Sequence, residues 1–307
     1  MAVFQNAQEL VRNTPLVRLQ QLGLPSSIQL YAKLELQNPA GGVKDRMGIY
    51  LIAKLLAEGA LHKDSVIIEA TAGNTGLGLA LGALNTNIPL IFTIPSKFST
   101  EKQTLLRAMG ATIINTPAEE GMLGAAQKAE ELRQQIPHAI TIKQFENQYN
   151  PLAHYETTAP EIYHDLNGNI HYFVAGAGTG GTYSGIAHYL KEKIPALQGV
   201  LADPHGSTLG GGTCHAPYRI EGIGNDFVPK TMDLSLVDQV IKVTDEEAFA
   251  AVRLLARKEG LFAGSSSGAN LAAALKLAAT IKEGVIVTIF SDRAERYFSK
   301  HLLDDEN

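Results

Sequence analysis

A doubly wound α/β fold with mainly parallel sheets, divided over two domains, is what the 307-residue chain predicts. Short apolar runs alternate with amphipathic stretches from one end to the other, the pattern of strand, helix, strand. The runs are continuously apolar, as in strands covered on both faces. Glycine clusters where such a run hands over to a helix, and ligands bind on those turns in folds of this kind. The length is about two domains' worth.

Taken in order, Lys44 to Glu58 sets Met47, Leu51 and Leu55 at helical spacing and stops at Gly59. Ser65 to Glu69 (SVIIE) is a buried strand, followed by the helical run LGLALGAL. Pro89 to Ile94 is a strand, and Thr100 to Met109 is a helix ending at Gly110. The string Thr100-Glu101-Lys102-Gln103 predicts a capping box at its start. Ala111 to Asn115, Ile140 to Lys143 and His171 to Ala175 are strands, and a helical YSGIAHYLKEK follows. Strands Gly199 to Ala202, Gln239 to Val243 and Val285 to Phe290 complete the set, with helices at Asp245 to Glu259 and Gly268 to Ile281. Asp203 to Pro229 is the longest stretch without a regular pattern, and long loops in compact domains are often functional.

Lys and Arg number 26 against 31 Asp and Glu, a net charge of −5, which argues against a generic nucleic-acid or membrane-surface binder. Ordinary hydrophobicity with 19% charged residues excludes a disordered chain. The single cysteine, Cys214, excludes an internal disulfide framework and any site of several Cys ligands. The histidines form no HExxH or cluster, so no metal site is expected; His154-Tyr155-Glu156 begins like a deaminase motif, but no P-C-x-x-C follows. No apolar run reaches the roughly 18 residues of a membrane span. The start has no secretory pattern, so a cytoplasmic protein is expected.

Four loops carry usable chemistry. Gly176-Ala177-Gly178-Thr179-Gly180-Gly181-Thr182 lies between a strand and a helix. Its glycines let backbone N–H groups converge on an anion, the helix N-terminus adds positive charge, and two threonines add hydroxyls. It also matches G-x-G-x-x-G, with Asp203 ending the next strand, so a dinucleotide site stands beside a simple phosphate cup and a merely tight turn. In Asn38-Pro39-Ala40-Gly41-Gly42-Val43-Lys44-Asp45-Arg46, Lys44 opens a helix whose dipole disfavours its charge. A lowered amine pKa suits a Schiff-base lysine; a solvated surface lysine is the plainer reading. Thr71-Ala72-Gly73-Asn74-Thr75-Gly76 offers a second anion site, suited to a carboxylate, or a helix cap by Asn74 or Thr75. Gly264-Ser265-Ser266-Ser267-Gly268-Ala269 puts serines at a helix start, where capping is favoured over contact with a ligand ring.

In this order and spacing, NPAGGVKDR, TAGNTG, GAGTGGT and the SSGA of GSSSGA resemble the cysteine synthase and cystathionine β-synthase family, pyridoxal 5′-phosphate (PLP) enzymes of fold type II. The opening Asn13-Thr14-Pro15-Leu16-Val17-Arg18-Leu19, Gln144-Phe145-Glu146-Asn147 with the downstream Thr157 to Ile162, Glu221 to Phe227 and Ser291 to Tyr297 resemble it too, so the likeness spans nearly the whole chain. The resemblance implies that Lys44 carries PLP and is catalytic. It implies that Asn74 meets the ring hydroxyl and that Gly178, Thr179, Gly180, Gly181 and Thr182 hold the phosphate. Ser266 would face the pyridine nitrogen, with Ser267 as the alternative register. Thr71, Ala72, Gly73 and Thr75 would take the substrate carboxylate with Gln144 assisting, and Gly222 and Asp226 would lie on the substrate side. By the same analogy residues 46–147 form a smaller, mobile domain, and 1–45 with 148–307 the larger one; homodimers are usual.

The implied reaction is β-replacement. An amino acid with a β leaving group displaces Lys44 from PLP, the freed amine removes the α-proton, the leaving group departs, and a thiol or sulfide adds at Cβ. Departures inform the choice within the family. Ala72 stands where a serine is frequent, and Gly42 where Ser or Asn is common. Asp226, in Gly-Ile-Gly-x-Asp-Phe, stands where plain cysteine synthases tend to have a small residue and cystathionine β-synthases an Asp. The Asp203-to-Ser207 loop also looks like the synthase version. The length resembles the short bacterial type rather than the animal enzymes with a haem extension and regulatory tandem. The expectation is therefore O-acetylserine- or serine-dependent cystathionine synthesis from homocysteine. Cysteine synthesis from sulfide and hydrogen sulfide release from cysteine are possible further activities. A plain cysteine synthase is the nearest alternative. A serine or threonine dehydratase, an NAD-dependent dehydrogenase and a non-catalytic binding module are more remote.

Overall fold

The computed structural model describes residues 3–71, 73–96, 99–212 and 216–304, so Ala72 and Cys214 lie outside the described residues. In chain order its elements are β1 (Leu16–Arg18), β2 (Ile28–Leu34), α1 (Lys44–Ala57), β3 (Val66–Ala70), α2 (Asn74–Gly82), β4 (Leu90–Pro95), α3 (Thr100–Ala108) and β5 (Thr112–Thr116). There follow α4 (Gly121–Gln135), β6 (Ala139–Ile140), α5 (Tyr149–Ala153), a π-helical turn (His154–Thr158), α6 (Ala159–Asp165), β7 (Tyr172–Gly176) and α7 (Gly181–Lys193). The chain closes with β8 (Gln198–Pro204), β9 (Gln239–Val243), α8 (Asp245–Glu259), α9 (Ser265–Ala278) and β10 (Gly284–Phe290).

Two compact units result: Met1–Val11 with Asn38–Tyr149, and Arg12–Gln37 with Asn150–Asn307. Residues 38–45 thus group with the smaller unit, whereas the sequence places its start at 46. The reason is that α1 begins at Lys44 and packs as one rod along α2, so a cut after residue 45 would sever a helix.

The smaller unit holds a parallel sheet ordered β5-β4-β3-β6. Its core is Ile67, Phe92 and Ile94 of the sheet against Leu51, Ile52, Leu77, Leu79 and Leu106 of the helices. Glycines set the approach of α1 to α2: a Cβ at Gly48 would stand 2.0 Å from the Gly78 oxygen, and one at Gly82 2.5 Å from that of Gly48. The strand expected over 140–143 stops at Ile140, because the Ile142 and Lys143 N–H groups turn away to a side chain, the Glu69 carboxylate. Helix α3 is capped by Ser99, which accepts from the Lys102 N–H at 3.3 Å, so Thr100 is its first helical residue and not its cap.

The larger unit holds a sheet ordered β1-β2-β10-β7-β8-β9, parallel except for the edge pair β1–β2. Its strands bury both faces by alternation. Val174, Val200, Ala202, Ile286 and Phe290 pack towards α8 and α9, while Phe173, Leu201, Val287 and Ile289 pack towards α6 and α7. Strand β2 escapes the sequence pattern because Lys33 interrupts its apolar run. That lysine is buried, donating to the Thr14 carbonyl at 2.6 Å and pairing with Glu161 at 3.0 Å and Asp165 at 3.4 Å. Helix α8 has a full capping box, Thr244 with Glu247, and ends on Gly260 at φ +68°. Pro160, without an N–H, stands where the π turn passes into α6.

Candidate active site

In the smaller unit, residues 38–45 fold into a self-braced turn. The Gly41 N–H donates to the Asn38 carbonyl at 2.7 Å, Gly41 adopts φ +83°, and the Ala40 N–H donates to the buried Asp45 carboxylate at 2.7 Å. This delivers half-buried Lys44 as the first residue of α1, a helix without a side-chain cap. Its carbonyl oxygen would lie 2.1 Å from a Cβ at Gly78, so α2 and Lys44 meet backbone to backbone. That approach ties the lysine to the loop that opens α2.

The opening loop itself is not a cap. Gly73, at φ +151°, precedes Asn74, and Asn74 and Thr75 are the first helical residues with no side-chain cap bond. The Gly73 N–H donates to the Thr71 hydroxyl at 3.3 Å, and the Thr75 hydroxyl donates to Gln144 Oε1 at 2.6 Å. Thr71, Thr75 and Gln144 are buried together. Uncapped helix N–H groups beside such hydroxyls fit a carboxylate.

In the larger unit, the loop from β7 to α7 is a cradle that side chains would fill. A Cβ at Gly178 would stand 2.3 Å from the Gly222 oxygen, one at Gly180 2.5 Å from Met232, and one at Gly181 2.1 Å from Asn150. Gly180 adopts φ +85°, in the left-handed region, and α7 starts without a side-chain cap. The threonines are held from behind. Asn150 Nδ2 donates to Thr179 Oγ1 at 2.9 Å, Thr231 donates to the Thr179 carbonyl, and His154 bridges Thr182 (3.1 Å) and Thr158 (2.9 Å). A helix start without a side-chain cap, braced hydroxyls and close approaches at its glycines fit a phosphate monoester. The dinucleotide reading loses its acidic partner: Asp203 is buried, binds Lys242 and accepts the Gly210 N–H at 3.0 Å.

The serines of α9 divide by role. Ser265 Oγ accepts the Glu221 N–H at 3.0 Å and Ser267 Oγ the Ser291 N–H at 2.9 Å, so both tie loops, and neither caps the helix. The Ser266 hydroxyl is buried and faces Gly222, where a Cβ would stand 4.0 Å away. The preference for capping is therefore corrected.

Asp226 is exposed at the end of a segment tied to the cup. The Gly224 N–H donates to the Ala177 carbonyl at 2.9 Å, Asn225 Nδ2 donates to the Gly178 carbonyl, and Ser207 Oγ accepts the Asn225 N–H at 3.0 Å. Tyr218 lies against Gly224; burial, then the charges of Asp203, Asp226 and Asp245, push its pKa up to about 12, so it stays a neutral donor. Asn150, His154 and Thr231 hold the cup yet are single polar residues far along the chain, with no local pattern to mark their task. Asn225 lies inside a recognisable string, and only its fold shows what it ties.

The model of the family described as pyridoxal-phosphate dependent enzymes matches residues 7–292. An O-acetylserine dependent cystathionine beta-synthase of Bacillus subtilis is 49% identical over 305 residues, covering 99% of each chain. A cysteine synthase of Helicobacter pylori is 46% identical over 303 residues, covering 98% of this chain and 99% of that one. The crystal structure of an O-acetylserine dependent cystathionine beta-synthase from Helicobacter pylori superposes with a TM-score of 0.93 at 46% identity, covering 97% of this chain and 98% of that one.

Proposed function

We propose a specific reaction on one premise: the chain belongs to the pyridoxal-phosphate dependent enzyme family. The reaction is replacement of the β substituent of O-acetylserine, or of serine, by the thiol of homocysteine to give cystathionine. The observation that carries the choice of nucleophile is Asp226, an exposed carboxylate on a segment bound to the phosphate cup through Asn225 and Gly224. A carboxylate there can pair with the amino group of homocysteine, which sulfide lacks.

Bound PLP supplies an electron sink for the pair left on Cα when its proton is removed. Lys44 would hold the cofactor through Nζ and, once displaced, take the α-proton and later return it. Gly178 to Thr182 would hold the phosphate by N–H groups and hydroxyls, and Asn74 would bond the ring hydroxyl. Ser266, a hydroxyl and not an acid, can bond the ring nitrogen without keeping a full proton on it. That suits loss of a β substituent better than transamination. Thr71, Ala72, Gly73 and Thr75, with Gln144, would orient the substrate carboxylate, and Gly222 would border the substrate. Acetate leaves Cβ with the C–O bonding pair. The homocysteine sulfur forms the new Cβ–S bond, and its thiol proton is released. Homodimerisation accompanies this reading.

The test is a competition. Enzyme is mixed with O-acetylserine and then with homocysteine or sulfide, followed by stopped-flow absorbance, and products are identified by mass. Efficient formation of cystathionine is expected, and Asp226→Gly should weaken homocysteine use more than sulfide use. Capture by sulfide alone would make the enzyme a cysteine synthase and leave Asp226 without its role. Lys44→Ala should abolish turnover; normal turnover would remove Lys44 from the mechanism. Release of hydrogen sulfide from cysteine is a further activity of the same residues, since the thiolate is then the leaving group.

A further inference from the structure

We infer that Glu69 is a positioning residue for the substrate carboxylate, acting through the turn at 142–144 to hold Gln144 against Thr75. The inference rests on the carboxylate-loop reading above but not on which nucleophile is used.

Glu69 is buried in β3, the strand that leads into the loop of Thr71 and Gly73. Strand β6 runs parallel to β3 for one step, Val66 to Ala139 and Ile67 to Ile140, and then leaves the ladder. Two residues on, the Glu69 carboxylate accepts the N–H groups instead, Ile142 at 2.9 Å and Lys143 at 3.3 Å, both on Oε2. Lys143 turns into the left-handed region at φ +53°, which reverses the chain immediately before Gln144. A non-glycine residue keeps such a conformation only where its surroundings hold it. The turn is closed on its far side by the Glu146 and Asn147 N–H groups, which donate to the Lys143 carbonyl at 2.9 and 3.0 Å. Gln144 is thereby presented to Thr75, whose hydroxyl it accepts at 2.6 Å.

A buried carboxylate costs stability, and an apolar residue at this strand position would fill the same space. Burial pushes the Glu69 carboxyl up to about 7, with the Ile142, Lys143 and Gln144 N–H groups opposing that rise. The costly group therefore sits between the sheet and the residue that meets Thr75. That placement is accounted for by a need to hold Gln144 in register.

Holoenzymes carrying Glu69→Ala, Glu69→Gln, Gln144→Ala and the Glu69→Ala/Gln144→Ala pair are compared by KM and kcat for O-acetylserine at saturating nucleophile. Loss of a positioned hydrogen bond predicts about a tenfold rise in KM for Glu69→Ala, with kcat within about twofold. Glu69→Gln keeps one oxygen to accept the Ile142 N–H and should recover most of the loss. The double variant should be no worse than Gln144→Ala alone, since both changes act on one contact. A merely structural role would lower thermal stability and the active fraction without moving KM. An unchanged KM in folded Glu69→Ala, or additive effects in the pair, overturns the inference. An unchanged KM in Gln144→Ala overturns the carboxylate-loop reading, and the inference falls with it. Should Glu69→Ala not yield folded enzyme, Glu69→Asp decides: a raised KM supports the inference, and an unchanged one overturns it.

Discussion

Gly78→Ala is the substitution with the sharpest expected consequence for Lys44, although it lies 34 positions along the chain. A Cβ at Gly78 would stand 2.1 Å from the Lys44 carbonyl oxygen, 2.6 Å from its carbon and 3.2 Å from the Asp45 nitrogen. These are backbone atoms, so no side-chain rotation relieves the overlap. An ordinary contact requires the start of α1 to move away from α2 by about 1 Å. Overpacking of this size costs about 1–3 kcal/mol of stability. A catalytic group misplaced by about 1 Å loses on the order of a hundredfold in rate. The variant should therefore fold, with a moderately lowered Tm, and lose about two decades in kcat. The assay is steady-state turnover of O-acetylserine together with differential scanning calorimetry, with cofactor content measured by absorbance. Gly82→Ala is the companion: it meets the Gly48 oxygen at 2.5 Å, one turn further from Lys44 along both helices, and should cost stability with a smaller loss of rate. A Gly78→Ala enzyme with parental turnover would refute the reasoning, because it would show that the backbone approach of α1 to α2 does not place the lysine.

Further outcomes follow from the same geometry. Burial raises the Glu69 carboxyl from 4.5 to about 7, so the folded chain holds that proton more tightly than the unfolded one. Ionising it therefore costs stability as pH rises through this window, by about 3 kcal/mol once pH exceeds the folded value. Glu69→Gln should flatten this part of the pH–stability curve; parallel Tm profiles for parent and variant would contradict it. Lys33→Met removes the cation from between Glu161 at 3.0 Å and Asp165 at 3.4 Å. It should lower stability by about 1–2 kcal/mol in urea unfolding, since Glu161, 13% exposed, loses its cation while Asp165, 46% exposed, keeps its contact with water. Asn150→Ala takes away the donor to Thr179 and the wall opposite Gly181, and should weaken PLP binding about tenfold in a fluorescence titration. An unchanged affinity would separate Asn150 from the cup.

Much of the candidate site is legible in the chain because glycine-rich loops at helix starts are local objects. A cup such as Gly178 to Thr182 is made of consecutive N–H groups at a helix start, and only glycine tolerates the required approach, so its composition marks it. The same holds for Lys44 and for Thr71 to Thr75. The serines are a partial case. Three stand in a row at a helix start, and local rules make all of them caps. Only the positions of Glu221 and Ser291, distant in sequence, separate the two that tie loops from Ser266. Strand β2 illustrates a different limit, since its buried lysine looks like a break until Glu161 is seen beside it. Strand β6 errs the other way: its apolar residues continue past Ile140, but its N–H groups do not stay in the ladder.

By itself, the order of residues determined the doubly wound class, the four glycine- or serine-rich loops and the family to which they belong. Periodicity and contiguous motifs record local backbone geometry directly. Tertiary structure alone decided which groups meet across long separations. Glu69 with Ile142, Asn150 with Thr179 and Asn225 with Gly178 are all such pairs. Each is a single hydrogen bond between residues tens of positions apart. It leaves no periodic trace in the chain, because its geometry is set by how strands and helices pack and not by the residues on either side of it.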